Sequence, residues 1–184
     1  MSKLGEGHDA LYVERLLAGA AATIAGVRYC WLTSSADGRV RSRPMGRLLP
    51  SESDDDWTIR FVTDRRSRKA TDLRRSAMVS LTFQNDRDDA FVCVAGPAWL
   101  IEEAPDVGAL WNEDYRPYFP TETDRASVGF IEARITRMEL WIRGVTPEPF
   151  GLRTTVLERD PQGAPGIETE ARNVKIGRTR PQIY

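Results

Sequence analysis

The chain has 184 residues, of which 41% are hydrophobic, and its 26 basic residues nearly balance 27 acidic ones. This length favours one domain, and this composition supports a buried core. A net charge of −1 excludes a global attraction to nucleic acid or to an anionic membrane, so any bound anion must be held locally. Two widely separated cysteines and the lack of a basic, apolar leader lead us to expect a cytoplasmic protein without a membrane span.

The first elements in chain order are a helix and a hairpin. Asp9 is a candidate N-cap and Gly26 is a stop signal, so one helix is predicted between them. Aromatic and β-branched residues predict a strand over 29–33, and Ala36-Asp37-Gly38 predicts a tight turn. The second strand of the hairpin is predicted over 39–49.

A third strand is predicted over 57–63, and a basic segment follows it. Six basic residues and one acidic residue, Asp72, lie between Arg65 and Arg75. The segment lacks Gly and Pro, so it predicts a short helix that begins near Ser67. A solvated helix face is one interpretation of this charge.

A phosphate site is the other interpretation of the basic segment. A strand end followed by a helix start presents free backbone N–H groups and the positive end of the helix dipole. Ser67 would serve as the N-cap or supply a hydroxyl, and Arg68 would offer a planar fork and Lys69 a compact charge to phosphate oxygens.

The rest of the chain alternates strands with polar turns and contains one more helix. The predicted elements are two strands, a helix, an aromatic loop and a last long strand, over 78–84, 91–101, 104–112, 115–120 and 131–142. In the last strand, Met138, Leu140 and Ile142 resume the apolar alternation after an extra residue, which predicts a bulge near 136–137. Trp141 is then left on the opposite face.

Six strands with hairpin-type connections and few helices predict a mainly β fold, an antiparallel sheet closed as a small barrel with flanking helices. We expect residues 1–150 to form this domain together with the N-terminal helix. Residues 151–184 would be a C-terminal extension with one possible extra strand over 154–157. The Gly- and Pro-bearing stretch 160–184, whose last fifteen residues are basic, is interpreted as a dimer arm or a disordered tail.

Common enzyme signatures are absent from the sequence. The single histidine, His8, lies in a polar N-terminal stretch, which gives no support to a Ser/His/Asp triad or a His-rich metal site. Neither a GxGxxG nor a GxxxxGK[ST] phosphate loop occurs. We therefore assign no metal site and no catalytic residue.

Five segments of the chain follow one another in an order typical of a known family: 38–45, 61–64, 67–69 with Leu73, 79–81 and 94–98. Together they resemble the pyridoxamine 5′-phosphate oxidase-like split barrels. Segments 110–112, 118–120 and 139–141 are similar to the general-stress-protein subgroup of that superfamily. The resemblance covers residues 27–144, and it implies a six-stranded antiparallel split barrel.

The resemblance also implies an FMN-binding homodimer with two flavin sites at the subunit interface. The residues carried over as ring contacts are Arg43, Pro44 and Met45, with Val62 and Thr63 beside the ring and ribityl chain. The residues carried over as phosphate contacts are Ser67, Arg68 and Lys69. Trp141 matches a tryptophan that reaches the flavin from the partner subunit, and dimer packing without flavin contact is the alternative. The loop 115–120 would cover the ring or pack as an ordinary surface loop.

Three departures from the true oxidases bear on activity. Leu48 stands where they carry a lysine, Phe91 where they carry a glutamine, and Arg143-Gly144-Val145 where they carry an Arg-x-His pair. We therefore do not expect oxidation of pyridoxamine phosphate. The expected function is an FMN-dependent oxidoreductase acting on an unknown small molecule.

Other functions stay open on the sequence alone. A non-catalytic flavin-binding or stress-response module is the main alternative, and FAD or a deazaflavin are alternative cofactors. A nucleic-acid binder using the basic tail is a third hypothesis, although the charge balance leads us to expect no nucleic-acid and no membrane partner. The phosphate assignment predicts that Lys69→Ala weakens the binding of FMN far more than the binding of riboflavin, and equal weakening of both would show the assignment to be wrong.

Overall fold

The computed structural model describes residues 3–50, 55 and 57–159, with side chains described from residue 11 onward. The described strands are β1 (Tyr29–Ala36), β2 (Arg39–Gly46), β3 (Thr58–Asp64), β4 (Met78–Asn85), β5 (Ala90–Ile101), β6 (Val128–Arg134), β7 (Arg137–Ile142) and β8 (Thr155–Glu158). The described helices are α1 (Lys3–Gly26), α2 (Arg68–Arg75), α3 (Ala104–Leu110), a 3₁₀ helix (Glu113–Tyr118) and α4 (Glu122–Arg125).

The described strands pair in the order β2-β1-β4-β5-β6-β3, and β7 lies off this path and pairs with β5 and β8. The pairings of β1 with β2, β3 with β6, β5 with β6 and β7 with β8 are all antiparallel. The predicted fold class, a mainly β antiparallel sheet of the split-barrel type with flanking helices, is therefore confirmed.

The chain divides into two compact units. Strands β4 and β5 each have residues in both of them. Within the described residues, the first unit consists of 3–28, 82–94 and 136–159. In it, α1 packs against β7. Its buried apolar side chains come from α1 and from the strands, and they include Leu16, Phe83, Val92, Met138 and Leu140.

The second unit consists of Tyr29–Leu81 and Ala95–Ile135. Its strand β6 pairs with β3 on one side and β5 on the other, and every residue of β6 but the last is buried. A close approach of two strands explains Gly96, because a Cβ there would lie 2.0 Å from the backbone oxygen of Arg134. Only glycine fits at this point of β5.

The predicted hairpin is confirmed, and its turn has the expected geometry. Asp37 and Gly38 join β1 to β2 with φ angles of 53° and 69°. Two successive positive φ angles are typical of a type I′ turn, whose twist matches that of the flanking strands. The second strand ends at Gly46, three residues before the predicted end at residue 49.

Helix boundaries are where the sequence predictions needed most correction. Helix α1 begins at Lys3, so Asp9 lies inside the helix and the prediction that it is the N-cap is wrong. No proline precedes Asp9 in the described residues, so nothing stops the helix from starting earlier. Helix α3 ends at Leu110 rather than at residue 112. Helix α4 was not predicted, although Thr121 and Asp124 form a capping box at its start.

The last predicted strand contains the expected break. It is interrupted at residues 135–136, between β6 and β7, next to the predicted bulge at 136–137. The extra strand predicted over 154–157 is β8, which pairs with β7. The predicted arm or tail over 160–184 lies outside the described residues. Among the helices of the described residues, none is long and apolar enough to cross a membrane.

Candidate functional site

The end of β3 and the start of α2 form a tight bend in the second unit. The amide of Ser67 donates to the backbone oxygen of Asp64 at 3.0 Å, and the Oγ of Ser67 accepts from the amide of Ala70 at 3.4 Å. The Oγ1 of Thr63 lies 3.5 Å from the same Oγ. Ser67 is therefore the N-cap of α2, as the sequence predicted.

Asp64 stabilises the bend rather than the site itself. Its Oδ1 accepts from the amide of Arg66 at 2.7 Å, and both carboxylate oxygens accept from the guanidinium of Arg66. These hydrogen bonds from Arg66 hold the pKa of Asp64 below its usual value of 3.8. Because Arg66 is paired in this way, its charge is largely compensated locally.

Lys69 lies in the first turn of α2, and the six basic residues of this segment divide into three with an ion pair and three, including the exposed Arg65, without one among the described residues. Those at 66, 74 and 75 form ion pairs with Asp64, Glu102 and Asp37. In the part of the chain that the structure describes, neither Lys69 nor Arg68 forms an ion pair. Lys69 is nevertheless half-buried.

The electrostatics of Lys69 follow from that position. Burial lowers the pKa of its ammonium from 10.5, and the nearby charge of Arg43 lowers it further, while Asp64 acts in the opposite direction. A desolvated cation beside a second cation is costly unless an anion joins them. The start of α2 is thus a positively charged position that lacks a carboxylate partner.

Two arginines of β2 reach the buried face of α2. In the β1–β2 hairpin Ser34 is paired with Arg41 and Leu32 with Arg43. Since Ser34 and Leu32 are buried, both arginine side chains lie on the inner face of the hairpin. Nη1 of Arg41 donates to Oδ1 of Asp72 at 2.7 Å, and Nη2 of Arg43 donates to Oδ2 at 3.2 Å. Arg43 is thereby fixed close enough to Lys69 to lower its pKa.

The other residues expected at the ring lie on both faces of the hairpin. Pro44 is exposed and is paired with Trp31, whereas Met45 is buried and is paired with Cys30. Since successive residues of a strand point to opposite faces, the side chains of Arg43 and Met45 share the inner face and that of Pro44 does not.

Val62 and Thr63 are likewise separated by the alternation of β3. Thr63 is buried on the side of Ser67, whereas Val62 packs in an apolar cluster around Phe130 on the other face. The aromatic segment after α3 covers that cluster, with the ring of Tyr115 6.1 Å from the ring of Phe130. The predicted loop is largely a 3₁₀ helix, Glu113–Tyr118, and it packs on this chain's own sheet. Its role as a cover over a flavin ring stays a prediction.

Trp141 belongs to β7 in the first unit. Met138, Leu140 and Ile142 of this strand are buried, and Trp141 is half-buried on the opposite face. This confirms the predicted face of Trp141. Its contact with a flavin or with a partner subunit stays a prediction.

Sequence reasoning missed three members of the site: Ser34, Arg41 and Asp72. Asp72 was noted only as the single acid in a basic run. The useful signal was the alternation of Arg39, Arg41 and Arg43, which places three guanidinium groups on one face of a strand. A buried strand face with that charge requires a carboxylate from a neighbouring element.

The donor set at the start of α2 fits a phosphate group. It combines two hydroxyls, a guanidinium and an ammonium with the free amides of a helix N-terminus, all of them hydrogen-bond donors. The contributing side chains are those of Thr63, Ser67, Arg68 and Lys69.

Comparison with known proteins assigns the chain to a family. The model of the family described as pyridoxamine 5′-phosphate oxidase like matches residues 19–147. The chain belongs to this family. The resemblance seen in the sequence is thereby confirmed. No curated protein matches the chain.

Solved structures similar to this one share its fold at low sequence identity. A protein related to general stress protein 26, from Clostridium acetobutylicum, is 14% identical, with a TM-score of 0.64 over 79% of this chain and 95% of that one. A pyridoxamine 5′-phosphate oxidase-related, FMN-binding protein from Nostoc punctiforme is 17% identical, with a TM-score of 0.60 over 88% and 93%. PhzG from Burkholderia lata, solved with tetrahydrophenazine-1-carboxylic acid, is 19% identical, with a TM-score of 0.56 over 84% and 88%. At these identities the likeness concerns the fold.

Proposed function

We propose that this protein binds FMN and that the start of α2 holds the phosphate. The observation that carries the proposal is the half-buried Lys69, which has no ion-pair partner among the described residues and lies one helical turn from Asp72, whose carboxylate is engaged elsewhere. Ser67 and Arg68 beside it supply a hydroxyl and a fork of N–H donors. Membership of the oxidase-like family and the FMN-binding protein from Nostoc support the choice of this flavin.

The remaining residues carried over from the family would contact the ring and the ribityl chain in different ways. Arg43, Met45 and Thr63 present side chains to the inner side of their strands. Pro44 and Val62 point away from that side, so we propose that they act through backbone atoms. Trp141 would approach the flavin of a partner subunit.

We propose an FMN-dependent oxidoreductase as the activity. FMN, when bound, supplies electron or hydride transfer between a donor and a small organic molecule. The residues of this chain would bind the phosphate, orient the ring and shield it from water. PhzG, which was solved with tetrahydrophenazine-1-carboxylic acid, supports a small organic molecule as the substrate class. Oxidation of pyridoxamine phosphate is not part of the proposal, because Leu48, Phe91 and the 143–145 segment depart from the true oxidases.

The proposed working unit is a homodimer. Tyr29, Trp31, Val40 and Pro44 form an exposed apolar face on the outer side of the β1–β2 hairpin, with Trp31 50% and Val40 72% exposed. Exposed apolar faces of this kind are typical of protein interfaces. Trp31→Glu is expected to shift the protein from dimer to monomer in analytical ultracentrifugation, whereas Tyr118→Glu, at an exposed aromatic residue outside this face, is not. A dimer that survives Trp31→Glu would exclude this face as the interface.

The experiment that tests the proposed function is a spectroscopic titration of the purified protein with FMN. We expect saturable binding, the visible absorbance of a bound flavin, reduction by NADH or NADPH, and turnover with an added acceptor. Reduction without turnover would favour a flavin carrier over an enzyme. The absence of saturable FMN binding would overturn the proposal.

A further inference from the structure

Asp72 is the one acidic residue of α2, and it lies on the buried face of that helix. It is 5% exposed. Its Oδ1 accepts from Arg41 at 2.7 Å, and its Oδ2 accepts from Arg43 at 3.2 Å and from the hydroxyl of Ser34 at 3.4 Å. Both carboxylate oxygens are therefore engaged with the β1–β2 hairpin.

Ser34 completes the cluster by binding the second arm of Arg43. Its Oγ accepts from Nη1 of Arg43 at 2.8 Å, while Nη2 of the same guanidinium donates to Asp72. The planar head of Arg43 is thus held at both terminal nitrogens. An arginine fixed in this way loses little further freedom when it meets an anion.

The fixed guanidinium lies among other cations. Arg43 lowers the pKa of Lys69, and the charges of Arg41 and Arg68 lower that of Arg43, although burial is the largest cause in both cases. The carboxylate of Asp72 cannot neutralise four cations, so the first turn of α2 keeps a positive charge. These cations are Arg41, Arg43, Arg68 and Lys69. Because like charges repel, these groups require an anchor to stay together.

We propose that Asp72 is a positioning residue of the anion site. Its carboxylate anchors Arg41 and Arg43 beside Lys69, so that a phosphate group meets positive charges that are already assembled. Asp72 does not contact the phosphate itself, because two anions in contact repel. The inference rests on the proposed function, since the anion that the site takes is the phosphate of FMN.

This role predicts an effect opposite in sign to that of simple electrostatics. Removing a negative charge near an anion site strengthens anion binding if charge alone matters. Removing an anchor weakens anion binding, because the arginines are then free to turn away and the bound state must order them again. The direction of the change therefore separates the two roles.

The test measures the dissociation constants of FMN and riboflavin for the wild-type protein and for Asp72→Asn by quenching of flavin fluorescence. Asparagine keeps the size of the side chain and removes its charge. We expect the dissociation constant of FMN to rise about tenfold, as for the loss of a charged hydrogen bond. That of riboflavin should rise less, because riboflavin shares the ring near Arg43 but lacks the phosphate. Unchanged or tighter FMN binding by the variant would overturn the proposal.

Asp37→Asn is the matched control. Its carboxylate pairs with Arg75 at the other end of α2, so the same charge is removed near the same helix. Asparagine tolerates the positive φ of 53° found at this position. We expect Asp37→Asn to leave the ratio of the two dissociation constants unchanged. Tenfold tighter FMN binding by this variant would mean that net charge, and not positioning, governs binding.

Ser34→Ala keeps the proposal testable if Asp72→Asn fails to fold. It removes one hydroxyl from the anchor and leaves all charges in place. We expect a smaller but selective loss of FMN affinity, and an unchanged ratio of FMN to riboflavin affinity would overturn the proposal. If the wild-type protein binds no FMN, the proposed function fails and this inference fails with it. If the wild type binds FMN and Asp72→Asn binds it equally well, the inference alone fails.

Discussion

Two buried carboxylates of the second unit have closely similar partners and different surroundings. Asp72 is 5% exposed and is shared by Arg41 and Arg43, and Glu132 is 6% exposed and is shared by Arg60 and Arg134. Each cluster consists of one acid between two arginines. Sequence composition alone does not distinguish them.

The surroundings of Glu132 are those of a structural cluster. Glu132 of β6 is paired with Arg60 of β3 and with Trp99 of β5 across the sheet. The guanidinium of Arg134 stacks 4.8 Å above the ring of Trp99. All four residues come from strands, and both arginines have a carboxylate partner.

The surroundings of Asp72 add what the Glu132 cluster lacks. Arg68 and Lys69 lie at the start of the same helix and form no ion pair among the described residues. A buried arginine–carboxylate cluster by itself therefore indicates a role in stabilising the fold. A half-buried cation without an ion-pair partner among the described residues, next to such a cluster, is the feature on which the proposed phosphate site rests.

The largest expected effect is a loss of stability when the cluster around Glu132 is broken. Glu132→Gln removes a buried carboxylate that is 6% exposed and shared by Arg60 and Arg134, so we expect the free energy of unfolding to fall by about 3 kcal/mol. Urea denaturation of the variant measures it. Glu113→Gln, at an exposed pair with Arg116, is the control and should change stability by less than about 0.5 kcal/mol. A small loss in Glu132→Gln, equal to that of the control, would show that the cluster is dispensable.

The second effect concerns the ligand site. Lys69→Ala removes a charge from the proposed phosphate contact, so we expect FMN affinity to fall about 10- to 100-fold with riboflavin affinity nearly unchanged. Glu132→Gln, where it remains folded, should leave the ratio of the two affinities intact. Equal losses for both flavins in Lys69→Ala would refute the phosphate assignment.

The third effect is a dependence on pH. Burial and Arg43 lower the pKa of Lys69 from 10.5 in the folded protein, so the unfolded state holds this proton more tightly. The free protein should therefore gain stability as pH rises from that lowered pKa to 10.5. FMN affinity should fall over the same range, because the neutral amine attracts phosphate weakly. Titrations with FMN and riboflavin at several pH values check this, and Lys69→Arg, which stays charged, should remove the fall.

The smallest effect concerns the stacked arginine of the structural cluster. Arg134→Lys keeps the charge beside Glu132 but loses the planar stack on Trp99, which should cost about 0.5–1 kcal/mol of stability. Thermal denaturation measures the change. A loss as large as that of Glu132→Gln would mean that the stack, rather than the carboxylate, holds the cluster.

Local sequence signals predicted those structural features that neighbouring residues determine. Ser67 was predicted as the helix start because its hydroxyl can cap the helix, and Asp37-Gly38 was predicted as a turn because both residues tolerate positive φ. The break before β7 followed from the apolar alternation. These features depend on residues within one turn or strand.

Contacts between distant segments could not be predicted in the same way. The pairing of Asp72 with Arg41 and Arg43 joins residues about thirty positions apart, so no short motif contains it. The packing of the aromatic segment on Phe130 depends on which strand lies beneath it. The start of α1 was missed because Asp9 satisfies the rule for an N-cap while lying inside a longer helix.

The most direct test of the central claim is the ratio of the affinities of the wild-type protein for FMN and riboflavin, since the two ligands differ only in the phosphate. A calorimetric titration at neutral pH and moderate ionic strength measures both. If Lys69, Arg68 and the start of α2 hold the phosphate, FMN should bind at least about 100-fold more tightly, as several charged hydrogen bonds provide. Equal affinities would contradict the account.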